Sequence, residues 1–323
     1  MKNSVSVIVV TYNRPENLKR CLESIFRQSK KASEVIVIDN SNQINKHKNE
    51  FVCEKYSKIL PVVVIKNDIN SLTVGRNLGV QNATSDVVVF LDDDVLIGNK
   101  YLETAFQLLQ QDETIIGVQG YIRPLAINKS REIIHRLFFW YHHRKNQSLV
   151  LPSISAVYPS DISGNLRCEW VSGTNQVYRK FVVDEIKWDE NLHKYCDGED
   201  LDHSYRVYLQ YPKGIIMTSK LAVEHLEEDT GRVTSKELIF MREIYGWYLH
   251  KKLFARGYID LIKFLWSRVG RLLIAMALLV KSPSRNRLDE FSSLIRAYLY
   301  VLKNRQEISK GNLKEINKAL FGA

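Results

Sequence analysis

The sequence predicts an α/β protein: a mostly parallel, Rossmann-like central sheet flanked by helices, followed by a basic, amphipathic, helical C-terminal extension. Three observations predict it. Short runs that are apolar on both faces recur through the first 120 residues, with helical periodicity between them, the pattern of a parallel sheet covered on both sides. Carboxylates stand at the ends of two of these runs, where ligands bind in such sheets. Charge is also unevenly placed: residues 251–323 hold 15 Lys and Arg against 5 Asp and Glu, while the preceding residues carry 31 of each sign.

The elements follow in order. Val5–Val10 is an apolar, β-branched run. In "TYNRPENLKRCLESIFRQS", Asn13 reads as an N-cap and Pro15 lies near the first helical turn. Leu18, Cys21, Leu22, Ile25 and Phe26 then share one helical face. "EVIVIDN" (34–40) and "PVVVIKN" (61–67) read as strands, "SLTVGRNLGVQNATS" as a loop and short helix, and "VVVFLDDD" as the fourth strand. Residues 100–111 form an amphipathic helix, and "IIGVQGY" is another strand. From 130 to 165 no pattern is clear. There "IIHRLFFWYHHRK" holds four consecutive aromatics, residues 138–141, amid basic residues. It reads first as a buried helix or loop under the sheet, and second as a flap over substrate or a membrane-dipping segment. In "KYCDGEDLDHSYRVYLQY" an acidic turn leads into a helix with Leu201, Tyr205 and Tyr208 on one side; "GIIMTS" is a strand and "AVEHLEED" follows it.

With 323 residues, 45% of them hydrophobic, the chain can build one large domain or two modest ones. Residues 1–235 are expected to form the α/β body and 236–323 a helical region for a membrane interface or oligomerisation. Cys21, Cys53, Cys168 and Cys196 are scattered and form no CxxC pair, which argues for a reducing compartment and against a disulfide framework or thiolate zinc site. "VSVIVV" is too short for a signal-peptide core and reads as a strand. In the tail, Asp260, Lys263, Ser267, Arg268 and Arg271 gather on one helical face, with Phe264 and Trp266 off it. The uncharged stretch Leu272–Val280 gives about 13 Å of helix against roughly 30 Å of hydrocarbon. It cannot span a bilayer, but a basic amphipathic helix with Trp and Phe suits lying at an anionic membrane surface. The alternative is an ordinary helix packed on the body.

Asp92, Asp93 and Asp94 pose the functional question. Three adjacent negative charges repel one another, and Asp is a poor strand residue; a divalent cation is the first candidate for what makes them tolerable. The GxGxxG fingerprint is absent, since "GRNLG" has the wrong spacing, and so is the GxxxxGK[ST] phosphate loop. A nucleoside-diphosphate site that uses a metal fits better. Mg2+ or Mn2+ takes one or two carboxylates plus substrate phosphates, and neutralises a departing diphosphate.

"SVIVVTYNRPENLKRCLESIFRQ", "EVIVIDNSN", "GRNLGVQNATSDVVVFLDDDV", "WVSGTNQVYRK" and "DGEDLDHSYR" occur in this order. Together they resemble the family 2 glycosyltransferases over about residues 4–230. The resemblance implies the GT-A fold and an inverting, nucleotide-sugar-dependent transfer. It implies that Thr11, Tyr12, Arg14 and Asp39 line the nucleotide pocket, and that Arg76 and Asn77 sit beside the diphosphate or ribose. Asp92 and Asp94 would be the DxD pair, with Asp94 the preferred metal ligand and Asp93 between them pointing the other way. Trp170 and Gly173 would shape the sugar pocket. Asp200 would be the general base, with Glu199 the second candidate, and His225 would complete the metal site. The cofactor implied is Mn2+ or Mg2+; the donor is a UDP-sugar by preference, with GDP or dTDP as alternatives.

The acceptor is expected to be a glycan or lipid-linked saccharide hydroxyl. A polyprenyl-phosphate glycosyltransferase is the alternative, and a non-catalytic nucleotide-sugar or membrane-binding module is the alternative of another class. No nucleic acid is expected: the tail is basic, but its interleaved Leu, Ile and Trp favour lipid. The expected location is the cytoplasm, peripheral at the inner face of the cell membrane, and such a tail also suits a homo-oligomer.

Overall fold

Each apolar run expected to be a strand takes its place in one twisted sheet. The computed structural model describes residues 4–124, 129–140, 146–194, 198–226, 234–254 and 257–322. Tyr141 of the aromatic stretch, Cys196, and the acidic residues that follow Leu226 lie outside these. The body begins β1 (Val5–Thr11), α1 (Pro15–Phe26), β2 (Glu34–Asp39), α2 (Gln43–Ser57), β3 (Val62–Lys66), α3 (Leu72–Asn82), β4 (Val87–Asp92), β5 (Val95–Ile97), α4 (Tyr101–Gln111) and β6 (Gly117–Gly120). It continues α5 (Lys129–Leu137), β7 (Leu149–Leu151), β8 (Ser155–Val157), β9 (Asn165–Arg167), β10 (Asn175–Arg179), α6 (Lys180–Glu185), α7 (Glu199–Gln210), β11 (Ile215–Thr218) and β12 (Val223–His225).

The main sheet has the order β3-β2-β1-β4-β10-β6-β11-β9. Its first four strands are parallel, as are β6 and β11, while β10 runs against both β4 and β6, and β9 against β11. Strand alternation divides the core. Val7, Val9, Val37, Val89 and Leu91 pack under Leu18, Leu22 and Ile25 of α1 and Leu102 and Phe106 of α4. Ile8, Ile36, Val88 and Phe90 face the other way, towards Val80 of α3 and Val182 and Val207 of α6 and α7. The register pairs Thr11 with Asp39 and Val10 with Asp92. Three functional segments therefore meet at one edge, the carboxyl end of the parallel strands.

Two local expectations are corrected. Asn13 does not cap α1; Arg14 holds that position with no side-chain cap. Asn13 adopts the left-handed conformation, φ 58°, and its Oδ1 accepts from Asn42 N at 3.0 Å and Asn45 Nδ2 at 3.1 Å. The chain turns sharply between β1 and α1, and Asn tolerates that conformation better than most residues. The second correction concerns Asp93. Strand β4 ends at Asp92, and Asp93–Asp94 form a turn into β5, so strand alternation does not carry Asp93 to the far side.

The tail consists of α8 (Ser235–Phe254), α9 (Tyr258–Lys281), α10 (Arg285–Ser309) and α11 (Lys314–Phe321). Met241, Ile244, Tyr245 and Leu249 of α8 share a core with Val301, Ile308, Ile316, Phe321 and the body residue Leu192. Lys252 Nζ reaches Asp189 at 2.6 Å and Asp202 at 2.8 Å, and Asn317 Nδ2 donates to Asn191 O at 2.9 Å. The tail thus packs on the body. Helix α9 is turned with its polar face inward: Ser267 and Arg268 are buried, and Glu243 of α8 pairs with both Arg268 and Arg271 at 2.9 Å. Ile259, Ile262, Trp266, Val269, Leu273, Met276 and Val280 form an outward stripe, each at least 42% exposed. The end of α5 and the turn after it abut α9: Trp266 Nε1 donates to Leu137 O and Trp140 Nε1 to Ser267 O. Among the described residues, no helix is long and apolar enough to cross a membrane.

Candidate functional site: two cavities at the carboxyl edge of the sheet

A narrow cavity of about 70 Å³ opens where β1, β2 and β4 end. Thr11, Tyr12, Arg14, Asp92, Asp93 and Asp94 line it, with Asn40, Asn70, Leu72 and Lys194. The acidic triplet is held by protein cations and donors. Thr11 Oγ1 donates to Asp93 Oδ2 at 2.7 Å, and Arg14 Nη1 lies 3.2 Å from both Asp93 and Asp94. Arg76 Nη2 lies 3.3 Å from Asp92 Oδ1, and His225 Nε2 3.3 Å from Asp94 Oδ1. The charge repulsion raised by the sequence is therefore met in part by Arg14, Arg76 and His225.

Neutralisation is incomplete. Burial pushes the Asp92 carboxyl up to about 6, against the pull of Arg76. Burial pushes Asp93 up to about 7, against Arg14 and the Thr11 hydroxyl. Asp94 is also pushed up by burial, but its His225 contact and Arg14 outweigh that, and its carboxyl lies below the usual range. His225 is brought there by pairing of β12 with β5, His225 opposite Val95, and by Leu226 N donating to Asp94 O at 3.0 Å.

A second cavity, of about 320 Å³, lies against the start of α7. Trp170, Glu199 and Asp200 line it, with Ile154, Ala156, Gly198 and Leu201 of the body and Arg242, Gly246, Leu249, Arg268 and Arg271 of α8 and α9. The Asp200 carboxylate is fixed by two backbone donors, Gly173 N to Oδ2 at 3.0 Å and Leu201 N to Oδ1 at 2.7 Å. Glu199 is more deeply buried and lies 3.6 Å from Arg76 Nη1. Burial, then the neighbouring Asp200 charge, hold its carboxyl well above the usual range. Trp170 Nε1 donates to Val157 O at 2.9 Å, which fixes the ring in the wall.

Arg76 joins the two cavities. It is 2% exposed. One nitrogen reaches Asp92 and donates to Gly173 O at 3.1 Å, and the other faces Glu199. A Cβ on Gly173 would lie 2.6 Å from Arg76 Nη2, so only glycine fits between the arginine and the loop that holds Asp200. Arg76 itself lines neither cavity: it lies behind Asp92 of the first and Glu199 of the second, whereas the sequence places it beside diphosphate or ribose.

Asn77 and Asp39 line neither cavity. Asn77 Nδ2 donates to Trp188 O at 3.0 Å and Glu190 Oε1 at 2.8 Å, and Trp188 N donates to its Oδ1. It clamps the loop after α6. Asp39 is buried behind the first cavity, and its Oδ1 accepts from Ser41 N at 2.9 Å. Sequence reasoning missed Lys194, which arrives through the Ser71–Lys194 bridge, and the three tail arginines, which arrive only by helix packing. Neither leaves a local signal.

Among the described residues, no three His, Cys, Asp or Glu side chains are gathered as a self-sufficient metal cage. The oxygens of Asp92 and Asp94 beside His225 are nonetheless a hard, anionic, incompletely neutralised set, which fits a divalent cation that completes its shell from phosphate and water.

The model of the family described as Glycosyl transferase family 2 matches residues 6–167. The glycosyltransferase GlyA of Streptococcus pneumoniae is 28% identical over 222 residues, covering 68% of this chain and 30% of that relative. The chain's matches span 30%, 36% and 65% of the first three curated relatives. The Staphylococcus aureus TarS fragment 1–349, solved in complex with UDP-GlcNAc, aligns with a TM-score of 0.56 at 17% identity, covering 91% of this chain and 79% of that one. GalNAc-T7, solved with UDP, GalNAc and Mn2+, aligns with a TM-score of 0.56 at 16% identity, covering 83% and 55%. These two likenesses establish the fold.

Proposed function

Because the chain belongs to glycosyl transferase family 2, we propose that it moves a sugar from a nucleoside-diphosphate sugar to an acceptor hydroxyl, with inversion. The observation that carries this reading is the junction of the two cavities: the acidic triplet on one side, Asp200 on the other, and Arg76 and Gly173 between. The donor nucleotide occupies the first cavity, where Thr11, Tyr12, Arg14 and Lys194 face it, and a UDP-sugar is preferred. TarS was solved with UDP-GlcNAc and GalNAc-T7 with UDP and Mn2+.

Asp200 takes the proton from the acceptor hydroxyl as its oxygen attacks the anomeric carbon. A hydroxyl is a poor nucleophile at neutral pH, so a positioned carboxylate is needed in the transition state. The two backbone donors aim that carboxylate. Glu199, tied to the buried Arg76, is the weaker base candidate. Asp94 and Asp92 would hold Mn2+ or Mg2+, with His225 beside Asp94, and the cation would supply positive charge to the departing diphosphate. No covalent enzyme intermediate is required.

The acceptor is a glycan or lipid-linked saccharide. The outward stripe of α9 and the neighbouring face of α5 rest on an anionic membrane surface, peripheral to it, in keeping with the basic charge of residues 251–323.

Calorimetric titration of UDP, GDP and dTDP with Mn2+, with Mg2+ and with EDTA tests the donor site. One nucleotide is expected to bind tightly only with metal. Asp94→Asn should abolish the metal dependence, and metal dependence that persists in it would sink the assignment. Asp200→Asn should keep donor binding and lose transfer; full transfer would remove Asp200 as the base.

A further inference from the structure

The second cavity contains more positive charge than a neutral acceptor hydroxyl calls for. Its body wall offers Asp200 and Glu199, and its helical wall offers Arg242, Arg268 and Arg271. These arginines are separate from the donor's: the two cavities share no lining residue, and the first has its own Arg14 and Lys194. Arg268 and Arg271 share one carboxylate, Glu243, itself 2% exposed. Two guanidiniums on one carboxylate leave this wall positive. Arg242, exposed on α8, also lines the cavity.

Arg268 is a built feature. It is 8% exposed, with Cζ 4.1 Å from the centre of the Phe264 ring. A Cβ on Gly246 would lie 2.5 Å from its Nη2. Glycine is an unfavourable residue in the middle of a helix, and here it opens the space that the guanidinium fills. Burying a guanidinium is unfavourable unless its donors are used, and this one forms part of a cavity wall.

We propose that the second cavity receives an acceptor carrying a phosphate oxyanion beside the hydroxyl that is glycosylated. This rests on the reading of Asp200 as the base facing that hydroxyl. Guanidinium presents paired N–H groups that match phosphate oxygens, and a substrate whose hydroxyl meets Asp200 would place its phosphate at the arginines of α8 and α9 that line the same cavity. The acceptor class is therefore a polyol phosphate or phosphoglycan, not a neutral oligosaccharide.

The test is calorimetry with sn-glycerol 3-phosphate, inorganic phosphate and glycerol, titrated into the full chain saturated with UDP and Mn2+ so that the donor cavity is occupied. Glycerol phosphate should bind, and glycerol should not bind measurably. Arg242→Gln and Arg271→Gln should each weaken glycerol phosphate about tenfold or more, with UDP affinity unchanged. Thermal melting checks that each variant folds; Arg242 is exposed, so its variant keeps the test valid if Arg271→Gln unfolds. Equal binding of glycerol and glycerol phosphate, or unchanged affinity in the variants, overturns the proposal. Binding of inorganic phosphate alone means an adventitious ion only, and overturns it too. UDP binding is read in its own titration: its loss would overturn the donor reading, while the phosphate result is judged on the arginine variants.

Discussion

Arg76 concentrates more of the site's electrostatics than any acidic residue in it. Buried, it serves Asp92, Gly173 O and Glu199 together. Removing one partner from a buried charge set leaves the others uncompensated, at roughly 3–5 kcal/mol. Arg76→Met should therefore lower the urea midpoint by that equivalent and weaken nucleotide binding; a loss below about 1 kcal/mol would show that the carboxylates have other counter-charges. His203 gives a second residue-scale expectation. It is buried, stacks on Trp188 at 3.7 Å between ring centres, and lies 2.9 Å from Ile186 O. Burial, then the Arg206 charge, hold its proton affinity well below the ordinary 6.5. Only the unfolded chain then gains a proton as pH falls below about 6.5, so this residue destabilises the fold progressively below that pH, by up to about 1.4 kcal/mol per unit. Urea midpoints at neutral and mildly acidic pH should differ less in His203→Gln than in the parent; an equal difference would clear His203 of the effect.

Among the elements, β10 shows where reading by pattern stops. Its residues Asn175–Arg179 bring two polar side chains into the centre of the sheet, both fully buried. Asn175 Oδ1 accepts from Tyr101 Oη at 3.0 Å and Gly120 N at 2.7 Å, and Gln176 Nε2 donates to Val171 O at 3.2 Å. Asn175→Ala should cost about 2 kcal/mol, because two buried donors lose their acceptor; a neutral result in chemical denaturation would mean that water replaces the amide. The strands β1, β2, β3, β4 and β11 were legible because each is an apolar run, and β6 because the apolar Ile115 and Ile116 lead into it. A polar strand whose partners are distant in the chain gives no such signal. The same holds at the site. Asp92, Asp94 and Asp200 announce themselves as acids at strand and helix ends. Arg14 and Arg76 as counter-charges, Asn77 as a clamp and Lys194 as a cavity residue depend on which loop comes to rest beside which. The direction in which α9 faces was also beyond sequence: periodicity finds the two faces but not which is buried, and here Glu243 draws the polar one inward.

At the scale of the whole molecule, the basic tail and the outward stripe predict behaviour at a membrane. Sedimentation with vesicles of phosphatidylcholine and phosphatidylglycerol should recover the protein at low salt. Binding should weaken as ionic strength rises and the screening length falls below about 10 Å. Ile262→Asp should reduce it about tenfold or more, since a charge replaces an inserted apolar side chain. Unchanged vesicle binding would discard the membrane reading, and a parent dimer that the substitution converts to monomer would assign the stripe to a second copy.

The wall of the second cavity, partly from the body and partly from α8 and α9, has a consequence for how such a protein diversifies. The residues that line the first cavity lie in the body, while the three arginines of the second lie beyond residue 235. Selection on the helical segment can thus change what is modified while the leaving-group chemistry stays fixed. A chimera that exchanges only that segment should inherit its acceptor preference from one parent and its nucleotide preference from the other.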